Sequence, residues 1–209
     1  MVQVKKGDLV LMEYTGKVAA TGQVFDTTDE SLAQENGIFE KNSTYGPKLA
    51  VFGRKAIMQG MEEAIAACQL GKKEEFLISP DKAFGAKLPE LIRMMPEKEF
   101  AKQKMQPLPG MIIMLDGVAA RVKSVTSGRV VVDFNHPLAG ESVIYSVKVN
   151  DVISDQKKKI EAIAASFGLA ASAAQNGGRF KVSFAASGPQ EKIEDAKKAI
   201  LLSVPESEF

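Results

Sequence analysis

The sequence is poor in the side chains that most catalytic and metal sites require. Among its 209 residues are one cysteine, Cys68, and one histidine, His136. A single cysteine excludes an intrachain disulfide and a cysteine metal site. A single imidazole nearly excludes a histidine metal cluster or a catalytic dyad, because both need further partners. We therefore predict no metal, no cofactor and a buried, unreactive Cys68.

The chain also lacks long apolar runs and an excess of one charge. Lys and Arg number 27 against 26 Asp and Glu, and the two signs are interspersed. This pattern offers no basic face for direct nucleic-acid binding, and the densest run, residues 157–159, is typical of a solvated helix end. No apolar run approaches the roughly 20 residues that cross a bilayer, and residues 1–8 are too charged for a signal sequence. We expect a soluble cytoplasmic protein without membrane contact.

Residues 9–26 predict a β-hairpin that presents two aromatic rings and one carboxylate together. Apolar residues alternate up to Tyr14 with the period of a strand that has one face in a core. Residues 20–23 then predict a turn, and a return strand follows. Pairing of the two strands would bring Tyr14 within reach of Phe25 and Asp26. Taken alone, the pattern favours the alternative of a core aromatic residue followed by a turn cap.

The following segments predict a helix lying across a sheet. Met61, Ile65 and Cys68 recur at helical spacing, and Gly71 supplies a stop. Residues 74–79 alternate as a strand. Residues 141–149 predict a final strand with Tyr145 directed into the core.

Between these strands the character of the chain changes. Residues 88–102 predict a short helix, a proline break and a second short helix. Three short strands are then predicted over residues 111–115, 118–125 and 129–133, joined by tight turns. We interpret this segment as a compact all-strand module inserted into another domain.

Residues 155–209 predict a separate helix, hairpin and helix. Asn176-Gly177-Gly178 is the hairpin signal, and Pro189 suits the start of the last helix. A module of this size has little core of its own, so we expect it to pack against a neighbour or against a second copy of itself in a homodimer.

Several motifs together resemble the FKBP-type peptidyl-prolyl isomerases of the SlyD-like branch. They are YTG (14–16), VFD (24–26), GRKAIMQGMEE (53–63), SPDKAFG (79–85) and VVDFNHPLAG (131–140). The resemblance implies an α+β fold with an FKBP-like antiparallel sheet wrapped on a helix. It divides the chain into an isomerase domain (1–86 with 133–153), an inserted flap domain (87–132) and the C-terminal module (155–209). This layout looks like that of the longer archaeal members.

The resemblance also implies an apolar isomerase pocket. The residues at its positions are Tyr14, Phe25, Asp26, Ile57, Met58, Met61, Phe84 and Tyr145. Met61 stands where the compact members often have tryptophan, and Phe84 where a tyrosine hydroxyl usually contacts the ligand. Rotation about an X-Pro bond needs no nucleophile, only a dry cleft that favours the twisted amide, which agrees with the scarcity of catalytic side chains.

The insert resembles the chaperone-like flap of the same branch, which binds unfolded segments. We expect Met94, Met95, Met105 and Ile113 to be partly exposed there and to contact unfolded or nascent proline-containing polypeptides, since thioethers adapt to many apolar sequences. Some of the insert's apolar residues must instead form its core. The alternative function is a holding chaperone or adaptor whose isomerase pocket is vestigial.

Overall fold

The computed structural model describes residues 4–53, 57–102, 104–115, 117–185 and 189–209. In these ranges the chain forms an α+β fold of antiparallel sheets and a few helices. The strands are β1 (Leu9–Val18), β2 (Val24–Thr27), β3 (Lys48–Val51), β4 (Lys73–Ile78), β5 (Ile92–Pro96), β6 (Ile112–Leu115), β7 (Val118–Thr126), β8 (Arg129–Asp133), β9 (Val143–Ile153), β10 (Ala171–Asn176), β11 (Arg179–Phe184) and β12 (Ser207–Glu208). The α-helices are α1 (Glu30–Glu35), α2 (Gln59–Ala67), α3 (Glu97–Lys102), α4 (Gln156–Ser166) and α5 (Gln190–Ser203).

The first of two compact units contains Met1–Ala83 and Ser142–Phe209. Its main sheet has the order β2-β1-β9-β4, and β3 also pairs with β1. All of these pairings are antiparallel. The register places Gly16 of β1 opposite Asp26 on one side and Tyr145 on the other. Gly16 is therefore the point where the strands that carry these two side chains meet.

Helix α2 packs on β4 and β9 of this sheet. Its apolar side follows the predicted helical spacing, since Met61, Ala64 and Ile65 are buried. Close approach depends on Gly60, where a Cβ would collide with Cγ2 of Ile78. Cys68 caps the helix and is buried, as predicted, and burial raises the pKa of its thiol to about 11. A thiol with so high a pKa carries little thiolate and is a poor nucleophile.

The C-terminal part of this unit consists of α4, the β10–β11 hairpin and α5, followed by β12, which pairs in parallel with β11. Its apolar core extends into the main sheet, because Leu9 of β1 belongs to the same buried cluster. Leu49, Val51 and Ile153 pack against that cluster from β3 and β9. The buried residues contributed from residues 155–209 are Ile160, Ile163, Phe180, Val182, Ile200 and Val204. The neighbour on which this segment packs is thus the main sheet itself.

The second compact unit contains Phe84–Glu141. It is a four-stranded antiparallel sheet of order β5-β8-β7-β6 with helix α3 against one face. Phe100 of α3 is fully buried in its core, together with residues of β6, β7 and β8. The prediction of an all-strand insert is therefore wrong. A sheet this small needs a second layer to bury its apolar face, and α3 supplies that layer.

The prediction of two short helices over residues 88–102 is half wrong. The second is α3, but Ile92–Pro96 form strand β5, preceded by a 3₁₀ turn at Pro89–Leu91. Pairing from Ile92↔Asp133 to Pro96↔Arg129 fixes β5 along β8. β5 is an edge strand, where a proline at the end is tolerated. Cross-strand pairing outweighed the local sequence pattern here.

Hydrogen bonds of Asn135 join residues near the start and near the end of the second unit. The side-chain amide of Asn135 accepts a hydrogen bond from Leu88 N (2.8 Å) and donates one to Leu88 O (3.0 Å). The Asp133 carboxylate accepts from the Asn135 backbone N (3.0 Å) and side-chain Nδ2 (2.8 Å) and lies 3.2 Å from Lys87 Nζ. The side chain of Asn135 thus bonds to the backbone of Leu88, and His136 Nδ1 likewise accepts from the backbone N of Leu138. The predicted limits of the insert, 87 and 132, fall inside the unit.

Candidate active site

The hairpin of β1 and β2 brings an aromatic ring and a carboxylate together. Tyr14 is held in place by its backbone, since its N–H donates to Thr28 Oγ1 (3.0 Å) and its carbonyl accepts from Thr28 N (2.9 Å). The Tyr14 hydroxyl in turn donates to the carboxylate of Asp26 on β2. The pairing of β1 with β2 thus fixes the positions of Tyr14 and Asp26 and the contact between their side chains.

Three aromatic rings form a cluster beside Asp26. The Tyr145 ring lies 5.9 Å from that of Tyr14 and 5.7 Å from that of Phe25, the latter pair nearly perpendicular at 81°. Edge-to-face and tilted contacts at this separation are favourable. Gly16 makes room for them, because a Cβ there would lie 2.7 Å from Phe25 Cζ and 2.9 Å from Tyr145 Cζ. The Gly of the YTG motif is therefore a requirement of ring packing.

Asp26 lies in a partly desolvated setting that perturbs its titration. Burial raises the pKa of its carboxyl above the ordinary range, although the hydrogen bond from Tyr14, the Thr27 backbone and the charge of Lys48 each act in the opposite direction. Burial and the neighbouring Asp26 charge together raise the pKa of Tyr14 to about 12. Tyr14 consequently keeps its proton over the physiological range and remains a hydrogen-bond donor.

Lys48 is a member of the site that the sequence analysis did not single out. It enters on β3 opposite Met12 of β1, and its Nζ donates to Oγ1 (2.8 Å) and the carbonyl of Thr44. Together with Tyr14, Phe25, Asp26 and Tyr45 it lines a cavity of about 260 Å³. The only sequence signal was its position one residue after Pro47, at the start of a strand that pairs with the one carrying Tyr14.

The three predicted residues near helix α2 lie at its amino-terminal end. Ile57 and Met58 are half-buried, and Met58 is the extended N-cap residue. Met61 is buried in the first turns of α2, which packs on β9, the strand of Tyr145. The first unit thus contains Tyr14, Phe25, Asp26 and Tyr145 as one contacting group, and it contains Met61 on α2 with Ile57 and Met58 just before that helix.

Phe84 belongs to the second unit, where its ring stacks on that of His136 with 4.6 Å between centroids and 2° between planes. His136 therefore acts as a packing partner of Phe84 there.

The four insert residues expected to be partly exposed differ in their surroundings. Met94 is 62 % exposed, and Met95 and Met105 are half-buried against the Phe100 cluster. Ile113 is only 3 % exposed and belongs to that cluster, so the expectation for it is wrong. Side chains alternate along a strand, and on β6 the outward positions are Ile112 and Met114. The sequence alone could not show which of the two alternating sets of side chains on β6 faces the core, because Ile112–Leu115 are all apolar.

Neither a metal site nor a membrane span is found in the described part of the chain. No three His, Cys, Asp or Glu side chains in it are grouped as metal ligands. Among the same residues there is no helix long and apolar enough to cross a bilayer.

Comparison with known proteins gives two family matches. Residues 2–107 match the family described as FKBP-type peptidyl-prolyl cis-trans isomerase, and residues 93–138 match one described as the FKBP26 IF domain. The short-type peptidyl-prolyl cis-trans isomerase of Methanocaldococcus jannaschii is 36% identical over 149 residues, which span 71% of this chain and 94% of that protein. The FKBP-type 16 kDa isomerase of Escherichia coli K12 is 29% identical over 129 residues (58% and 86%), and SlyD of Helicobacter pylori is 28% identical over 115 residues (54% and 62%).

Proposed function

The chain belongs to the FKBP-type peptidyl-prolyl cis-trans isomerase family, and we propose that its isomerase site is the cluster of Tyr14, Phe25, Asp26 and Tyr145. The observation that carries this assignment is the half-buried Asp26 carboxylate, held by the Tyr14 hydroxyl beside three packed rings. A carboxylate is costly to desolvate, so its retention beside apolar rings favours a functional role. The other proposed pocket residues of the first unit are Ile57, Met58 and Met61.

The chemistry required is the rotation of an amide, with a barrier of about 20 kcal/mol. As the X-Pro bond twists, its carbonyl and nitrogen lose resonance, and the nitrogen becomes pyramidal. A dry aromatic wall accepts the pyrrolidine ring and withdraws the water that stabilises the planar, charge-separated form. Asp26 and the Tyr14 hydroxyl supply the polar contact that orients the peptide.

The test is isomerisation of a short X-Pro peptide by the whole protein and by Asp26→Ala. We expect kcat/KM to fall at least about tenfold while the unfolding temperature changes little, because the lost contact acts on the twisted amide. Glu161→Ala, on the exposed side of α4, is the matched control for loss of a carboxylate. Equal activity of wild type and Asp26→Ala would remove Asp26 from the site.

We further propose that the second unit binds unfolded segments of client polypeptides and thereby gives the protein chaperone activity. Its sheet carries exposed apolar side chains on the side away from the Phe100 cluster, and Ile112 and Met114 pair with Arg121 and Ala119 of β7. Exposed apolar groups on such a scale favour a binding surface over a monomer's ordinary exterior. The exposed strand residues of that side are Met94, Ile112 and Met114, and Leu108 and Met111 are exposed in the loop before β6.

This surface can be tested by replacing two of its side chains without touching the core. Ile112→Ser with Met114→Ser should weaken binding to a permanently unfolded, proline-free protein, because each removes apolar contact area. Leu70→Ser with Leu77→Ser removes similarly exposed apolar groups from the first unit and is the control. Equal weakening by both pairs would show that the binding is not specific to the second unit.

A homodimer through residues 155–209 is proposed on a narrower basis. Exposed Leu202 on α5 and Phe209 near the chain end remain available for contact after this segment has packed on the main sheet. Sedimentation of wild type and Leu202→Ser over a range of concentrations tests it. A concentration-independent monomer mass for the wild type would exclude the dimer.

A further inference from the structure

A second cavity, of about 610 Å³, lies on the first unit and shares Tyr14 with the isomerase site described above. Its volume is in the range of small-ligand and peptide sites. We name it the Phe39 groove. The lining residues that matter here are Tyr14, Leu32, Phe39, Lys41, Tyr45 and Lys73.

The apolar part of the Phe39 groove is a fixed aromatic pair. Phe39 and Tyr45 stack with 5.5 Å between ring centroids and 12° between planes. The Tyr45 hydroxyl accepts a hydrogen bond from Glu40 N (3.0 Å), which anchors the pair to the loop after α1. Phe39 nevertheless remains 41 % exposed. An aromatic ring that is both held in place and open to solvent can bind another apolar side chain at little cost in conformational entropy.

The charges in the groove are unequally available. The Glu13 carboxylate is bound by Asn150 Nδ2 (2.9 Å) and Lys148 Nζ (3.6 Å). Asp29 caps α1 by accepting from Leu32 N, and Glu30 accepts from Gln34 Nε2. Lys41 and Lys73, in contrast, have no ion pair or side-chain hydrogen bond among the described residues. Three lysines and three carboxylates line the groove, so its formal charge is balanced, and Lys41 and Lys73 are the cations whose side chains remain available to an anionic group of a ligand.

The groove also adjoins the isomerase site. Tyr14 and Tyr45 line both the Phe39 groove and the smaller cavity that contains Phe25 and Asp26. A polypeptide whose proline lies at Asp26 can thus continue past the Tyr14 ring into the groove. An extended chain advances about 3.3 Å per residue, so a few residues on one side of the proline suffice.

From these observations we infer that the Phe39 groove binds the part of the client polypeptide that flanks the proline, and that it selects an acidic residue next to an apolar or aromatic one. The inference rests on the proposed isomerase site, which it extends by a specificity determinant. Lys41 and Lys73 bind the carboxylate, and the exposed face of Phe39 binds the apolar side chain.

The test uses peptides of about ten residues that contain one X-Pro bond, with a Phe-Glu pair placed either before or after it, and the matching Phe-Gln peptides. Isomerisation rates are measured by NMR exchange at low and high salt. We expect one of the two Glu peptides to have a KM about fivefold below that of its Gln counterpart, as two partly exposed ion pairs would give. High salt should reduce this difference, because the charges are accessible to solvent.

Variants then assign the effect to the groove. Lys41→Gln with Lys73→Gln should abolish the preference for Glu, whereas Lys157→Gln with Lys158→Gln, exposed lysines on α4, should keep it. Phe39→Ala should raise the KM of the Glu and Gln peptides alike. Equal KM values for Glu and Gln peptides in both positions, or a preference that survives in the Lys41/Lys73 variant, would overturn the inference. Failure of the wild type to isomerise any peptide would instead overturn the proposed isomerase site.

Discussion

Lys159 Nζ lies 3.3 Å from Asp8 Oδ1, and the two side chains are only 5 % and 7 % exposed. Lys159 also donates to the carbonyl of Gly7 at 2.7 Å, while the other carboxylate oxygen of Asp8 accepts from Lys5 N at 2.9 Å. The pair joins helix α4 to the residues that lead into β1. Next to it, Leu9 and Ile160 belong to one apolar cluster. The C-terminal segment is therefore attached to the start of the main sheet by a buried ion pair as well as by apolar packing.

Removal of Lys159 should strongly destabilise the first unit. Lys159→Ala leaves the Asp8 carboxylate buried without its cation, which typically costs about 3–5 kcal/mol in the free energy of unfolding. Lys157→Ala, on the exposed side of the same helix, should change it by less than about 0.5 kcal/mol. Urea denaturation of both variants measures the difference. A loss below about 1 kcal/mol for Lys159→Ala would mean that the pair is hydrated in solution.

The same pair shows what the sequence could and could not predict. Residues 157–159 predict a solvated helix end, and Lys157 and Lys158 are indeed exposed, but Lys159 is buried. A run of charged residues indicates that most of its side chains face solvent, but it does not show which single residue of the run is buried. The partner of Lys159 lies about 150 residues away, at Asp8, and no local pattern identifies a partner at such a distance. Lys48 was missed for a similar reason, since its role depends on Asp26 of another strand.

Strands and helices with a clear apolar period were predictable. β1, β9 and α2 each bury one face, and their alternating or helical spacing is visible in the residues themselves. β5 and β6 were harder to predict, because in a run of apolar residues nothing distinguishes the side chains that face the core from those that face solvent. Ile92–Pro96 became a strand only through pairing with β8, and Ile113 faces the core only because the neighbouring strands set the register.

Gly16→Ala should disturb the aromatic cluster without changing any of its rings. The new methyl group would lie within 3.0 Å of both Phe25 and Tyr145. Such overpacking typically costs about 1–3 kcal/mol and displaces the crowded side chains. We expect the near-ultraviolet circular dichroism of the tyrosines to change and kcat/KM on a short X-Pro peptide to fall. An unchanged spectrum with full activity would show that the strands can separate enough to accept a methyl group.

Asp26→Asn should make the protein relatively more stable as the pH rises. The folded-state pKa of Asp26 is raised, chiefly by burial, so the folded protein holds this proton more tightly than the unfolded chain does. The wild type therefore gains this stability below the unfolded pKa of about 3.9 and loses it as the pH rises through the folded pKa. The asparagine variant does not titrate at this position. The stability of the asparagine variant relative to wild type should thus increase as the pH rises from the unfolded pKa to the folded pKa of Asp26. Above the folded pKa the difference should remain constant.

Urea denaturation of both proteins between about pH 3 and pH 8 measures this difference. Tyr14→Phe provides an internal control, because it removes a hydrogen bond that lowers the pKa of Asp26. In that background the window in which stability is lost should move to higher pH. A difference between wild type and Asp26→Asn that is independent of pH, or largest at low pH, would contradict the raised pKa.

Asn135→Ala should destabilise the hydrogen bonding that joins Leu88, near the start of the second unit, to the residues after β8. It removes two hydrogen bonds to the Leu88 backbone and one side-chain bond to Asp133, whose carboxyl has a lowered pKa. Burial opposes that lowering, and the bonds from Asn135 and the contact with Lys87 outweigh it. We expect faster hydrogen exchange at the amide of Leu88, with little change in β1 and β9. Unchanged exchange at Leu88 would show that water replaces the lost bonds without cost.

Adjacent isoleucines on β6 offer a test of whether the core and the outer face of the second unit act independently. Ile113 is 3 % exposed and Ile112 is 61 % exposed, although both are isoleucines and they are neighbours on the same strand. Ile113→Ala should lower the stability of this unit by about 2–5 kcal/mol through cavity formation, whereas Ile112→Ala should cost less than about 1 kcal/mol. If the outer face binds unfolded polypeptides, Ile112→Ala should weaken that binding at unchanged stability. Equal destabilisation by the two variants, measured by urea denaturation, would contradict the register of β6.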